Sequence, residues 1–226
     1  MESTQARASF AELAKRPAVV TIDLHRGHLD PETATLPLPA DAALALVERA
    51  VPLLDEYRGL GLPVIHVVTA YRDRDEILSN AYWRFQAGRP DSPRKQIAEH
   101  NLIGMPGLEL MPDIERPGDT IVETKKRYDC FVGTDLGFRL QTGGHDSVLV
   151  LGVNTNSCVI ATSIAASVRD YAVFVVDEGV DTMIPALHDA ALAIIDASFG
   201  WVISAQTTLE ILRDRVTSAV PEPARA

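Results

Sequence analysis

Six short apolar runs recur along the chain, each followed by a polar turn and a stretch of helical period. Residues 18–24, 63–69, 119–124, 146–152, 172–176 and 201–204 are rich in Val, Ile and Leu at successive positions rather than alternate ones. That is the pattern of strands buried on both faces. Between the first two, Leu44, Val47, Val51 and Leu54 stand at helical spacing in a segment opened by Pro39-Ala40-Asp41 and stopped by Gly59 and Gly61. A long amphipathic helix is expected there, with Asp41 its candidate cap. Shorter helices are expected over 9–15, 134–141, the run after Cys158, 185–198, and a last segment carrying Leu209 and Leu212. Residues 72–117 break the rhythm with many Pro, Arg and Asp. Long excursions of this kind carry substrate or subunit contacts.

Strands alternating with helices argue for an α/β fold, a single-domain three-layer α/β/α sandwich with a mostly parallel six-stranded sheet of Rossmann-like type. The domain is expected over 17–217, after an N-terminal helical extension at 1–16 and before a flexible tail at 218–226. In such sheets, ligands bind beyond the carboxyl ends of the strands. Asp23 closes the first strand, Lys125 follows the third and Cys158 follows the fourth, so all three fall at that edge.

Composition narrows the function. The 226 residues carry 21 basic and 31 acidic side chains, a net charge of −10, with no local Lys/Arg stripe. That field repels nucleic acid. No apolar run reaches the length of a membrane span, so no membrane partner is expected. The opening residues are polar, and the two cysteines, Cys130 and Cys158, form no CxxC pair. A cytoplasmic protein with reduced thiols is the expectation.

A thiol between a strand and a helix sits at the positive end of a helix dipole, beside free backbone N–H groups, which lowers its pKa and makes a nucleophile. Asp23 can take its proton if burial raises the carboxyl pKa, although Lys125 would counter that shift and couple the pair. Backbone N–H groups of the turn from Asn154 to Cys158 can hold a developing oxyanion. Cys130, beside Phe131, is read as a packing residue.

These segments together resemble the cysteine hydrolases of the isochorismatase-like superfamily, over about 17–204. Ala18-Val19-Val20-Thr21-Ile22-Asp23-Leu24 is similar to the family's first strand with its catalytic Asp. The run from Val122 to Leu136 is similar to its catalytic-Lys segment, and the register places that Lys on Lys125 rather than Lys126. Leu151-Gly152-Val153-Asn154-Thr155-Asn156-Ser157-Cys158-Val159 is similar to its nucleophile turn. The resemblance implies a triad of Asp23, Lys125 and Cys158, a cis peptide before Asn154, and an oxyanion hole from the N–H groups of Asn154 and Cys158. It also implies a homodimer or homotetramer. The exposed-looking aromatics Tyr82, Trp83 and Phe85, and the apolar spacing of Phe10 and Leu13, point the same way.

The chain also departs from the family. After Asp23 it reads Leu24-His25-Arg26-Gly27-His28, where the family commonly has a Gln and then an Asn. The Asp-x-His metal motif of nicotinamidases is missing after the second strand, and His25, His28 and His66 show no usual ligand spacing, so neither metal nor other cofactor is expected. The expected reaction is hydrolysis of a C–N bond in a small amide or carbamoyl/ureido compound. Candidate substrate contacts are His25, Tyr71, Trp83, Arg84, Phe131 and Asn156, and Arg72, Arg74 and Arg84 hint at a carboxylate on the substrate. Three alternatives stand beside it: an isochorismate-type vinyl-ether hydrolase, whose known members lack the cysteine; a dinucleotide-dependent oxidoreductase, for which no G-x-G-x-x-G follows the first strand; and a non-catalytic binding protein on the same fold.

Overall fold

The structure, a computed structural model, describes residues 4–219. Six strands, β1 (Pro17–Ile22), β2 (Val64–Thr69), β3 (Thr120–Lys125), β4 (Ser147–Val153), β5 (Ala172–Asp181) and β6 (Trp201–Ile203), form one sheet in the order β3-β2-β1-β4-β5-β6. Every pairing is parallel. The helices are α1 (Thr4–Leu13), α2 (Arg26–Leu29), α3 (Ala40–Gly59), α4 (Arg74–Leu78), α5 (Ala81–Gln86), α6 (Leu136–Thr142), α7 (Ile160–Ser167), α8 (His188–Ser198) and α9 (Ala205–Ala219).

Continuous burial of β1, β2 and β4 follows from a sheet covered on both faces, and alternate side chains feed two separate cores. Val19, Leu149, Leu151 and Phe174 pack against α1, α3 and α9. Ala18, Val20, Ile22, Val148 and Val150 pack with Leu136, Ala165, Ala166 and Ile195 of α6, α7 and α8. The strand order reverses direction between β1 and β4, which opens the crevice at the carboxyl edge where ligands of such sheets bind.

Three expectations are corrected. Asp41 does not cap α3: Pro39 holds the cap position without a side-chain bond, and Asp41 lies in the first turn, where its charge suits the helix dipole. The leading helix is no appended extension, because Ala6 and Phe10 are fully buried and Phe10 meets Phe174 edge-on at 5.0 Å. Of the expected tail, Ser218 and Ala219 still belong to α9, and 220–226 lie outside the described residues.

The excursion after β2 folds back over the sheet edge. Asp73 and Asn80 cap α4 and α5 by accepting from the N–H groups of Glu76 and Trp83. Leu36, Tyr71, Ile77, Trp83 and Ile97 then form a small core of their own above the strand ends.

Candidate active site

β1 ends in Asp23, whose φ of 53° lies in the left-handed region, an uncommon conformation for a residue other than Gly. One strand over, β4 reaches its own end through Gly152, with φ 113°, where an added Cβ would stand 2.1 Å from the carbonyl oxygen of Ile22. Only glycine lets the two strands approach this closely. The chain then makes a cis Val153–Asn154 peptide, as the resemblance implied, and enters a π-turn at Thr155–Val159 that runs on into α7. Such turns recur at functional sites. Cys158 lies within it.

Lys125, the last residue of β3, reaches across the end of β2 to the other two. Its Nζ donates to Asp23 Oδ2 at 2.5 Å, to Thr69 Oγ1 at 2.5 Å and to Cys158 Sγ at 3.3 Å. An ammonium has three donors, so all of them are engaged. Thr69 also fixes the carboxylate, its N–H donating to Asp23 Oδ1 at 2.7 Å. Asp23 and Lys125 are each 1% exposed, so the pair is a buried ion pair. Lys126, by contrast, points away, to Glu76 and the Ala70 carbonyl.

The electrostatics revise two expectations. Burial alone would raise the Asp23 pKa, but the Lys125 ammonium, with lesser help from His25 and His28, holds it well below the usual carboxylate range. Lys125 is in turn raised: burial opposes its charge, and Asp23 followed by Cys158 outweigh burial. The thiol is not activated at rest. Burial pushes Cys158 up to about 11, with Lys125 pulling it down and Asp23 pushing it up. Desolvation therefore outweighs the pull of the Lys125 ammonium, and placement beside a helix does not by itself activate the thiol. The resting site holds a carboxylate, an ammonium and a neutral thiol. Cys130 is fully buried and its thiol is raised further, as suits a packing residue.

A cavity with about 410 Å³ of empty space, part of it open to solvent, leads to Cys158. Its floor is Asp23, Thr69, Lys125, Asn154 and Cys158, and its wall includes Tyr71, Trp83, Arg94, His100, Tyr128 and Met183. Of the expected substrate contacts, Tyr71 and Trp83 line this space, while His25, Arg84, Phe131 and Asn156 do not. His25 lies beneath it, 3.4 Å from Asp23 Oδ1. Arg84 is tied to the Leu78 carbonyl at the surface. Phe131 packs in the core under α6, and Asn156 accepts from the Thr182 hydroxyl at 2.6 Å. Arg72 and Arg74 are paired with Glu76 and Glu99 at the surface. Thr69, Arg94, His100 and Tyr128 were not anticipated. Thr69 could have been, since it ends a strand at the same edge; the others come from irregular segments without periodicity.

His25, His28 and His100 are buried together, with one candidate ligand atom each, all within 4.8 Å of one another. His28 Nδ1 donates to the Leu36 carbonyl at 2.7 Å, which leaves Nε2 as the lone-pair nitrogen. His100 Nδ1 meets the Thr35 hydroxyl at 2.9 Å. Burial lowers both, His28 to about 3, so they are neutral, the form that binds metal. These three residues could hold a divalent cation such as zinc. Spacing along the chain concealed the group because His100 lies far from the other two. His66 stands apart, bonded to Thr21 and Asp119.

The isochorismatase domain model matches residues 17–207. Maleamate amidohydrolase of Pseudomonas putida is 26% identical over 199 residues, covering 88% of each chain. The N-carbamoylsarcosine amidase structure from Thermoplasma acidophilum is 26% identical with a TM-score of 0.66, covering 84% of this chain and 96% of that one. A cysteine hydrolase structure from Pseudomonas syringae pv. phaseolicola shares the fold at a TM-score of 0.77 and 21% identity, covering 88% and 93%.

Proposed function

The chain belongs to the isochorismatase domain family, and from that premise we propose that it hydrolyses the C–N bond of a small amide or carbamoyl (ureido) compound through a thioester on Cys158. The observation that carries the reading is the contact of Lys125 with both Asp23 and Cys158 at the floor of the cavity. The similarity to proteins named maleamate amidohydrolase and N-carbamoylsarcosine amidase supports the same reaction class.

The steps follow from the resting charges. Asp23 takes the thiol proton as Sγ attacks the carbonyl carbon, because a thiol with its pKa near 11 ionises in concert with attack rather than before it. The carbonyl π pair moves onto oxygen, where the N–H groups of Asn154 and Cys158 receive it. Once Sγ is bonded to carbon, the Lys125 N–H that it had accepted is released toward the oxyanion. On collapse the C–N bond breaks and nitrogen takes the proton back from Asp23. Water, deprotonated by Asp23, then cleaves the thioester and restores the thiol.

An acyl-enzyme trap tests this. With a slowly turned-over amide, intact-mass and peptide mapping should place one acyl group on Cys158. An adduct on Cys130, or full ammonia release by Cys158→Ala, would remove the mechanism.

A further inference from the structure

Arg94 is 8% exposed, yet among the described residues no carboxylate lies within ion-pair distance of its guanidinium. Its contacts are weak: Nε donates to the Tyr128 hydroxyl at 3.4 Å, and a terminal nitrogen meets Met183 Sδ at 3.7 Å. A buried cation without a counter-ion is costly and uncommon unless a ligand completes it. Arg127, also on the cavity wall, has no acidic partner among the described residues; it bonds the Lys126 carbonyl and the Ser79 hydroxyl and lies 5.0 Å over the Trp83 ring.

The polar groups around Arg94 are set up as donors. The Tyr128 oxygen already accepts from Trp83 Nε1 at 2.9 Å and from Arg94, while its own hydrogen has no acceptor among the described residues. Asp23 and Lys125 cancel each other on the cavity floor. The wall is therefore left net positive, inside a chain whose net charge is −10. A planar guanidinium with free N–H groups beside a free O–H matches the two oxygens of a carboxylate, which accepts bidentately.

We propose that Arg94, with the Tyr128 hydroxyl, forms a subsite for a carboxylate carried by the substrate, so that the compounds cleaved are amide acids or carbamoyl and ureido acids rather than neutral amides. The assignment rests on the amide-hydrolase reading for the attack at Cys158, but the subsite can be tested apart from it. Arg94 provides the charge that the surface residues Arg72, Arg74 and Arg84 cannot, since these are exposed and already bonded.

The experiment pairs a kinetic arm with a binding arm. A panel of small amide acids, succinamate and its carbamoyl analogues among them, is run beside the neutral diamide of each, with parent, Arg94→Gln and Arg94→Lys proteins. The acids should be cleaved with kcat/KM at least about 100-fold above their neutral partners. Arg94→Gln should erase that preference mainly through KM, Arg94→Lys should restore part of it, and each change should cost the acids far more than their neutral diamides. In the binding arm, succinate is titrated calorimetrically into Cys158→Ala, where catalysis plays no part; binding should be measurable and lost in Cys158→Ala/Arg94→Gln. Equal cleavage of acids and diamides by the parent, with both impaired alike in Arg94→Gln, overturns the subsite and leaves the amidase reading standing. No cleavage of any compound, with succinate still bound through Arg94, overturns the amidase reading and keeps the subsite. Absence of Arg94-dependent succinate binding and of any acid preference removes the subsite. A lower thermal midpoint in Arg94→Gln with unchanged acid preference would make Arg94 a structural residue and also overturn it.

Discussion

Asp23→Asn separates what the buried pair does for stability from what it does for chemistry. Asparagine keeps an oxygen for the Thr69 N–H but turns an NH2 group toward Lys125, so the ammonium loses its counter-ion and meets a second donor. At 2.5 Å and an effective dielectric of about 20, the lost attraction is about 7 kcal/mol, of which desolvation of the two ions offsets part. Breaking such a pair by removing one partner costs about 3–5 kcal/mol. For a chain of this length, that corresponds to a thermal midpoint lower by roughly 6–20 °C. Lys125→Met alone should cost a similar amount, because it strands the carboxylate. The double variant Asp23→Asn/Lys125→Met removes both charges and should recover much of the loss, with a coupling of about 3 kcal/mol in a urea-denaturation cycle. Catalysis should not recover: ammonia release should stay on the order of a hundredfold or more below the parent in all three, as for loss of a general acid–base group or of a transition-state charge contact. Midpoints of both single variants within two or three degrees of the parent, on the order of 1 kcal/mol, would refute an ionised buried pair. A double variant that regains activity would refute the assigned roles.

Four further outcomes are expected. Lys126→Ala should leave kcat nearly unchanged while Lys125→Ala lowers it on the order of a hundredfold or more; steady-state kinetics showing the reverse ranking would move the catalytic cation by one residue. His28 is held neutral with a pKa of about 3 against 6.5 when unfolded, so its contribution to stability is full above the unfolded value and is lost as pH falls toward the folded one. Between pH 8 and 5 that loss is about 2 kcal/mol, and denaturation curves of His28→Phe should lack it; parallel pH profiles of parent and variant would contradict the assigned protonation state. Chelation should leave activity intact, since the proposed steps call only on Asp23, Lys125, Cys158 and backbone N–H groups; loss on chelation with recovery on adding zinc would put an ion on His25, His28 and His100 in the reaction. Tyr82 and Phe85 remain exposed on one helix although Trp83 and Phe10 pack within the chain, and light scattering at micromolar concentration should report a homo-oligomer; a monomer that does not change with concentration would end that expectation.

What the chain revealed in advance were features encoded locally. Continuous apolar runs mark strands, and a residue that directly follows a strand is placed by it, so Asp23, Lys125 and Cys158 could be assigned to one sheet edge without coordinates. Strand boundaries fell within two residues, with Pro17, Pro63 and Gly152 beside them, except at the end of β5, which runs to Asp181, five residues past the apolar run that ends at Val176. The cavity wall was not legible in this way. Arg94, His100 and Tyr128 come from segments without period, and the excursion is positioned by Tyr71, Ile77 and Trp83 packing on one another across long separations. Choosing among arginines from sequence favoured Arg72, Arg74 and Arg84, because burial, which singles out Arg94, leaves no mark on neighbouring residues. The thiol was misjudged for a related reason: dipole placement can be read from element order, whereas the degree of desolvation that pushes Cys158 to about 11 depends on the whole surrounding shell.

The contact between Gly152 and Ile22 bears on how Asp23 and Cys158 are held relative to one another. Asp23 and Cys158 follow neighbouring strands, one residue beyond Ile22 and six beyond Gly152, and the gap between those strands is set at that crossing by a side chain that is not there. Even a single methyl group at position 152 would act as a wedge, driving the backbone that carries Asp23 away from the turn that carries Cys158, without touching substrate or any ionisable group. The glycine thus works as a spacer of zero thickness, and the separation of Asp23 from Cys158, the pair to which the proposed mechanism assigns the proton transfer, is gauged by backbone against backbone.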